Sequence, residues 1–179
     1  MKKSISAFVA IALHLSLSAQ DGKIFNKLFY SELGGPGLIM SANFDSRFTP
    51  NDRLGLGFRI GTGFAYGDFE EDQPNQYGYY DYVTRTYYSI PAGLNYVFGK
   101  PDSEHTFEVG AGVSILTRKV SLFHYSGSGK PGNAIGFFTF MYRLMPIDGG
   151  FSFRVGLTPI IGTSGDLFPM GAIGFGYVF

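Results

Sequence analysis

An alternation with a period of two residues constrains the fold of this chain more than any other feature. Apolar side chains occupy every second position over long segments, and the positions between them hold mostly glycine, serine or alanine with single charges. This period is typical of β-strands whose two faces meet different surroundings. Strong alternation covers residues 54–65, 88–98, 107–115, 151–158 and 173–179, and weaker alternation covers 38–48 and 136–144. The sequence therefore predicts an all-β, antiparallel fold.

Two details of the strand assignment are less regular. In the segment 38–48, Leu38 would begin the apolar face, with Met40, Ala42 and Phe44 following on the same side. A short run at residues 28–33 predicts a first strand, but its phase is ambiguous.

The second face of these strands does not resemble the exposed face of a soluble protein. Exposed strands normally carry lysine, glutamate and threonine, and glycine is depleted in ordinary strands because it packs no side chain. The chain has 26 glycines, many on this face, and they suit a narrow barrel interior where side chains crowd together. We interpret the apolar face as facing lipid and the small, polar face as lining the lumen. The alternative is a soluble, lipocalin-like barrel with the two faces inverted.

The N-terminus predicts export. Lys2 and Lys3 precede an apolar stretch at residues 5–17, and the small residues Ser18 and Ala19 follow it. This is the layout of a secretory signal peptide, so we predict a cleaved signal over residues 1–19 and a barrel over 20–179. A membrane-anchor helix is the alternative, although the stretch is short for a span of about 20 residues.

The lengths of the connections predict the topology. Tight, turn-forming stretches at 49–52, 99–104 and 146–149 alternate with longer polar stretches at 70–84 and 121–133. Outer-membrane barrels have short periplasmic turns and longer external loops. Counting back from the C-terminus predicts an up-and-down transmembrane β-barrel of about eight strands with both termini in the periplasm. The gaps at 34–37 and 162–166 would be external yet short.

Three stretches resemble small outer-membrane β-barrel proteins of Gram-negative bacteria, and most of all those of the Bacteroidota. They are residues 89–96 (SIPAGLNY), 151–159 (FSFRVGLTP) and 175–179 (FGYVF). The resemblance covers essentially all of the mature chain. It implies an outer-membrane location, contact with outer-membrane lipid and insertion by the barrel-assembly machinery, which would read Phe175, Tyr177 and Phe179 as a C-terminal aromatic signal. It implies no particular activity.

Charged residues on the inward face are the main candidates for a site. They are Asp45, Arg47, Arg59, Glu108, Arg143 and Arg154. Side chains just fill the interior of an eight-stranded barrel, and charges placed there have to pair. We predict an ion-pair network that plugs the lumen and ties the wall together. The alternative is a narrow polar path for small solutes or a ligand pocket.

A second candidate is the loop after the third strand, which combines acidic residues with Tyr77, Tyr79, Tyr80 and Tyr82. Tyrosine offers a rigid contact surface with a polar tip, so the loop suits recognition of an extracellular ligand. The alternative is a solvated loop whose tyrosines belong to the aromatic belt at the membrane interface. Glu70, Glu71, Asp72 and Asp81 could attract a divalent cation, but we predict no metal site.

The remaining residue types give little support for metal binding, nucleic-acid binding or catalysis. The chain has no cysteine and a formal net charge of +0, which excludes thiolate metal sites and gives no basic footprint for nucleic acid. We predict no cofactor and no enzymatic activity. His124, in a loop with Ser121, Ser126 and Ser128, leaves a lipid-acting enzyme as the weakest alternative. The predicted function is a structural or surface-interaction role, with a narrow pore or transporter for small solutes as the alternative.

Overall fold

The computed structural model describes residues 25–70, 76–77, 82–120, 132–162, 165 and 167–179. The predicted signal peptide at 1–19 lies outside these residues. In the described part of the chain, no helix has the length and apolar character needed to cross a membrane.

The described residues form a closed antiparallel barrel. Its strands are β1 (Lys27–Gly34), β2 (Met40–Arg47), β3 (Gly55–Glu70), β4 (Tyr82–Gly99), β5 (His105–Val120), β6 (Gly132–Leu144), β7 (Gly150–Leu157), β8 (Ile160–Ile161), β9 (Leu167–Phe168) and β10 (Gly171–Val178). Sequential neighbours pair from β1 to β7, β7 pairs with β10, and β10 returns to β1. The prediction of an all-β, up-and-down barrel is confirmed.

The ten assigned strands form an eight-stranded barrel, because β8 continues β7 and β9 continues β10. β6 pairs with β8 in the same register as with β7, since Phe140 faces Leu157 and Gly136 faces Ile161. β8 pairs with β9 in the register of β7 with β10. The assigned strands stop near Pro159 and Pro169, which cannot donate a backbone hydrogen bond. The predicted count of about eight strands is therefore confirmed.

The two faces of the wall differ as the alternation predicts. Aromatic and aliphatic side chains such as Leu94 and Phe140 point outward and expose 54% and 53% of their surface. A set of polar and charged side chains that includes Asn43, Arg59 and Glu108 points inward and is buried. Inward glycines make room for the largest of them: a Cβ at Gly174 would lie 2.8 Å from Arg154 Cγ, and one at Gly176 would lie 2.5 Å from Tyr30 Cβ.

The short and the long connections are at opposite ends of the barrel. The turns at residues 48–54, 100–104 and 145–149 share one end with both termini of the barrel. The ends of β3 and β5, after which the connections 71–81 and 121–131 begin, lie at the other end. The predicted loops at 70–84 and 121–133 were too long, because Glu70 pairs with Tyr82 and β6 begins at Gly132. The strands continue into polar residues that the prediction assigned to the loops, because polar residues form the same backbone hydrogen bonds between strands.

The connection between β1 and β2 folds into the barrel. Gly35, Pro36 and Gly37 form a buried 3₁₀ turn, and Ser114 Oγ of β5 donates a hydrogen bond of 2.7 Å to the Pro36 carbonyl oxygen. Leu38 was predicted on the outward face, which is wrong: it is 5% exposed and packs in an internal apolar cluster. Its φ of 77° departs from strand geometry, so the alternation does not reach it.

Candidate functional site

The structure places all six predicted lumen charges inside the barrel, each at most 4% exposed. They come from five strands: Asp45 and Arg47 from β2, Arg59 from β3, Glu108 from β5, Arg143 from β6 and Arg154 from β7. Since each lies on the inward face, contacts that join distant parts of the sequence form across the lumen.

Asp45 is the centre of one group. Its Oδ1 forms ion pairs with Arg47 and, at 3.4 Å, with Arg143 Nη2. Its Oδ2 accepts a hydrogen bond of 2.5 Å from Asn95 Nδ2 of β4, and Asn95 Oδ1 accepts one of 2.7 Å from Arg47 Nη2. Arg47 also donates to the Gly55 carbonyl oxygen at 2.9 Å. Both carboxylate oxygens are therefore engaged.

Glu108 links this group to the opposite wall. Arg143 Nη1 lies 2.8 Å from its Oε2, and Arg154 Nη2 lies 3.1 Å from its Oε1. Thr139 Oγ1 donates to the same Oε1 at 3.2 Å. Two guanidinium groups and a hydroxyl thus compensate one carboxylate that has lost all contact with bulk solvent.

Glu32 of β1 is a third internal carboxylate, and sequence reasoning missed it. Its Oε2 lies 2.8 Å from Arg59 Nη2, and its Oε1 lies 3.4 Å from Arg154 Nε. The ambiguous phase of residues 28–33 hid it, whereas the structure places Leu28, Tyr30 and Glu32 on the inward face. A charge count could have found it, because the predicted set holds four arginines and only two carboxylates.

Together these residues form one alternating chain of charges. It runs from Arg59 through Glu32, Arg154, Glu108, Arg143 and Asp45 to Arg47. A buried ion pair adds little net stability over an apolar pair, yet removal of one partner is costly because the other charge stays buried. Each of these seven charged side chains forms an ion pair with at least one residue of opposite charge. The arrangement suits a plug and a brace between strands.

Two buried apolar clusters lie inside the barrel, one on each side of the charges. Toward the long connections lies the cluster of Leu38, Ala65, Tyr87, Leu116, Ile135 and Ile160. Toward the short turns lie Leu28, Tyr30, Met145 and Val178, with Phe25 packed against them. Arg53, in the turn after β2, donates to the carbonyl oxygens of Met145 at 2.5 Å and Pro101 at 3.2 Å. Burial lowers the pKa of Arg53, and the nearby Glu104 carboxylate opposes the shift.

Two of the predicted C-terminal signal residues lie on the outside of β10, and Phe179 follows the strand. Phe175 and Tyr177 are 45% and 46% exposed. The Phe179 backbone closes the barrel seam, since its N–H donates to the Lys27 carbonyl oxygen at 2.9 Å and its carbonyl accepts from Lys27 at 3.2 Å. The Phe179 ring centroid lies 6.4 Å from that of Phe44.

The predicted recognition tyrosines are only partly described. Tyr77 is 74% exposed, and Tyr79 and Tyr80 lie outside the described residues. Tyr82 was predicted in the loop, but it is the first residue of β4 and pairs with Glu70. His124 and its neighbouring serines also lie outside the described residues. Within the described part, no group of three or more histidine, aspartate or glutamate residues could hold a metal ion.

Comparisons with known proteins are sparse. No family model matches the sequence, and no curated protein is significantly similar to it. One solved structure that matches is Ail, the attachment invasion locus protein of Yersinia pestis, in complex with the heparin analogue sucrose octasulfate. It is 14% identical, with a TM-score of 0.33, and the match covers 89% of this chain and 98% of Ail. A TM-score that low carries no weight here, so the barrel assignment stands on the strand pairing described above.

Proposed function

We propose that the chain is a small outer-membrane β-barrel protein with a structural or surface-interaction role and a closed lumen. One observation carries the proposal: the outside of the barrel wall is largely apolar, while a network of charged side chains is buried inside it. Exposed apolar side chains surround the wall, including Phe29, Ile60, Leu94, Val113, Phe140 and Phe151. Soluble monomers rarely expose apolar patches larger than a few hundred Å², and a lipid bilayer would cover this one.

The soluble, lipocalin-like alternative requires the opposite arrangement. A soluble carrier keeps its apolar rows inside around a ligand and its charges outside. In this barrel the rows of Leu94 and Phe140 face outward, and the ion pairs of Glu108 and Asp45 fill the centre. The lumen therefore offers no apolar interior at the level of the charges.

Aromatic side chains gather on the outside near the short turns, as in the girdles of outer-membrane barrels. The ring centroids of Phe98 and Phe107 are 6.0 Å apart, and those of Phe107 and Tyr142 are 5.9 Å apart. Phe151 and Phe175 continue the band, with centroids 6.2 Å apart. Aromatic rings favour the membrane–water interface, so this end of the barrel fits an interface, which in the predicted orientation is the periplasmic one.

The lengths of three strands support display at the cell surface. A tilted strand crosses a bilayer with about 9–11 residues, whereas β3, β4 and β5 contain 16, 18 and 16 residues. The additional residues of these strands lie at the end with the long connections. Strands of this length would place residues 71–81 and 121–131 beyond the lipid. An extracellular ligand would bind there, with Tyr77 as an exposed contact. The finer assignment to the barrels of the Bacteroidota belongs to the same proposal.

Cell fractionation combined with heat-modifiable gel mobility tests the proposal. Recovery of the full-length chain in the outer membrane, with a folded band that shifts on boiling, is the expected result. Recovery as a soluble periplasmic protein would overturn it.

Planar-bilayer recording separates a closed barrel from a narrow pore for small solutes. A lumen filled by ion pairs and two apolar clusters gives no discrete current steps, and regular steps would favour the pore. The weakest alternative, a lipid-acting enzyme, predicts that His124→Ala alters the lipid A of the host cell. We expect no change.

A further inference from the structure

The charges of the described lumen network do not balance. Among the described residues, the lumen network contains four guanidinium groups, on Arg47, Arg59, Arg143 and Arg154, and three carboxylates. The exposure of each of these side chains is 1% or less. The network therefore holds one excess positive charge where bulk water does not reach, and such a charge is costly without a counter-ion.

The excess lies at one end of the network. Arg143 and Arg154 each contact two carboxylates, whereas Arg47 and Arg59, at the two ends of the network, each contact one. Arg47 also donates to the Gly55 carbonyl oxygen and to Asn95 Oδ1, whereas the other acceptor near Arg59 is Asn43 Oδ1 at 3.4 Å. The local imbalance falls on the part of the lumen that contains Glu32, Arg59 and Arg154.

Unpartnered donors concentrate in the same place. Five buried donors here have no hydrogen-bond partner in the described structure: Arg59 Nε and Nη1, Arg154 Nε and Nη1, and the Tyr30 hydroxyl. The acceptor Glu32 Oε1 also has no hydrogen bond, and its contact with Arg154 Nε is an ion pair of 3.4 Å. In the Asp45 group, by contrast, only Nε of Arg47 and Nε of Arg143 are unpartnered. Buried donors in proteins are nearly always satisfied, so this part of the lumen points to a bound acceptor.

Tyr30 brings the two arginines together. Its ring lies beneath both guanidinium groups, with Arg154 Cζ 4.4 Å and Arg59 Cζ 5.6 Å from the ring centroid. Both arginines also contact the Glu32 carboxylate. A second acceptor beside this cluster would meet two delocalised cations and a hydroxyl donor, which is a favourable setting for an anion.

We propose that the barrel binds one small monovalent inorganic anion, of the halide class, beside Arg59, Arg154 and Tyr30. One negative charge neutralises the excess. The complete burial of the surrounding side chains restricts the site to a small ion. Water alone would satisfy the donors but leave the charge uncompensated. The site concerns the interior of the barrel and does not depend on the proposed surface role.

The test compares unfolding of the detergent-refolded, full-length mature barrel in sodium chloride and in sodium gluconate at equal ionic strength. Chloride should raise the thermal midpoint in a saturable way, by roughly 5 °C at a hundredfold excess over Kd. Bromide should replace chloride. Tyr30→Phe keeps the ring and removes the hydroxyl, so the chloride concentration for half the effect should rise several-fold.

Arg59→Gln removes the excess charge and should abolish the chloride-dependent shift. Lys100→Gln, in an exposed turn, changes the net charge equally and should retain the shift. Equal midpoints of the wild-type barrel in the two salts, or a full shift in Arg59→Gln, would overturn the proposal. If Arg59→Gln does not fold, anomalous scattering from bromide-soaked wild-type crystals decides. A bromide peak in contact with Arg59 and Arg154 supports the site, and its absence there refutes it.

Discussion

Arg143 Nη1 lies 2.8 Å from Glu108 Oε2, and both side chains are 0% exposed. This pair joins neighbouring strands inside the barrel, and its carboxylate also compensates Arg154 on β7. Glu108 is therefore shared between two arginines, and the stability of the barrel depends on it more than on a single surface ion pair.

Glu108→Ala should destabilise the barrel strongly. It leaves the guanidinium groups of Arg143 and Arg154 without a shared carboxylate, and removal of one partner from a buried pair costs about 3–5 kcal/mol. The measurement is the unfolding midpoint in detergent, followed by the heat-dependent gel shift. Asp102→Ala, at an exposed turn position, is the control and should leave the midpoint nearly unchanged. An unaltered midpoint in Glu108→Ala would show that the network does not brace the wall.

Gly176→Ala should also destabilise the barrel, for a steric reason. A Cβ at this position would lie 2.5 Å from Tyr30 Cβ and 2.8 Å from Tyr30 Cα, so neighbouring backbone has to move. Overpacking of this kind costs about 1–3 kcal/mol. Gly171→Ala on the same strand is the matched control, because the nearest atom to its Cβ would be 3.8 Å away. Equal stability of the two variants in urea would contradict the explanation for the inward glycines.

Leu94→Arg tests whether the outer face meets lipid. Leu94 is 54% exposed and lies five residues above the end of β4. An arginine near the bilayer midplane of a barrel costs about 2–4 kcal/mol, whereas a surface substitution in water usually changes stability by less than about 0.5 kcal/mol. We expect the larger loss when unfolding from lipid vesicles is measured. The same change at the exposed turn residue Asp102 should be neutral, and a neutral Leu94→Arg would argue for a water-exposed wall.

Phe179→Ala separates assembly in the cell from folding in vitro. The backbone hydrogen bonds between residue 179 and Lys27 survive the change, so the purified chain should still refold in detergent. If the C-terminal aromatic residues act as an assembly signal, recovery from the outer membrane should fall several-fold. Phe48→Ala removes an outward aromatic residue at the same end of the barrel and serves as the control. Equal recovery of the two variants would leave Phe179 without a special role in assembly.

Local patterning was enough to predict most of the wall. Alternation in segments such as 88–98 and 107–115 requires one apolar and one small, polar face, and a strand satisfies that requirement without knowledge of its neighbours. Turn-forming residues then set the connections at the short-turn end. The six lumen charges followed from the same alternation, although Asp45, Arg47 and Arg143 lie in the two segments where it is weaker.

Long-range contacts decided the rest. Glu32 joins the lumen because β1 pairs with β10 and β2 in a register that turns Leu28, Tyr30 and Glu32 inward, and residues 28–33 alone do not specify that register. Leu38 turns into the lumen because the 3₁₀ turn before it accepts hydrogen bonds from Ser89 and Ser114 on distant strands. Periodicity in the sequence predicts which face of a strand a residue lies on. Which charged residues come into contact depends on how the barrel closes, and closure depends on pairing between strands that are far apart in the sequence.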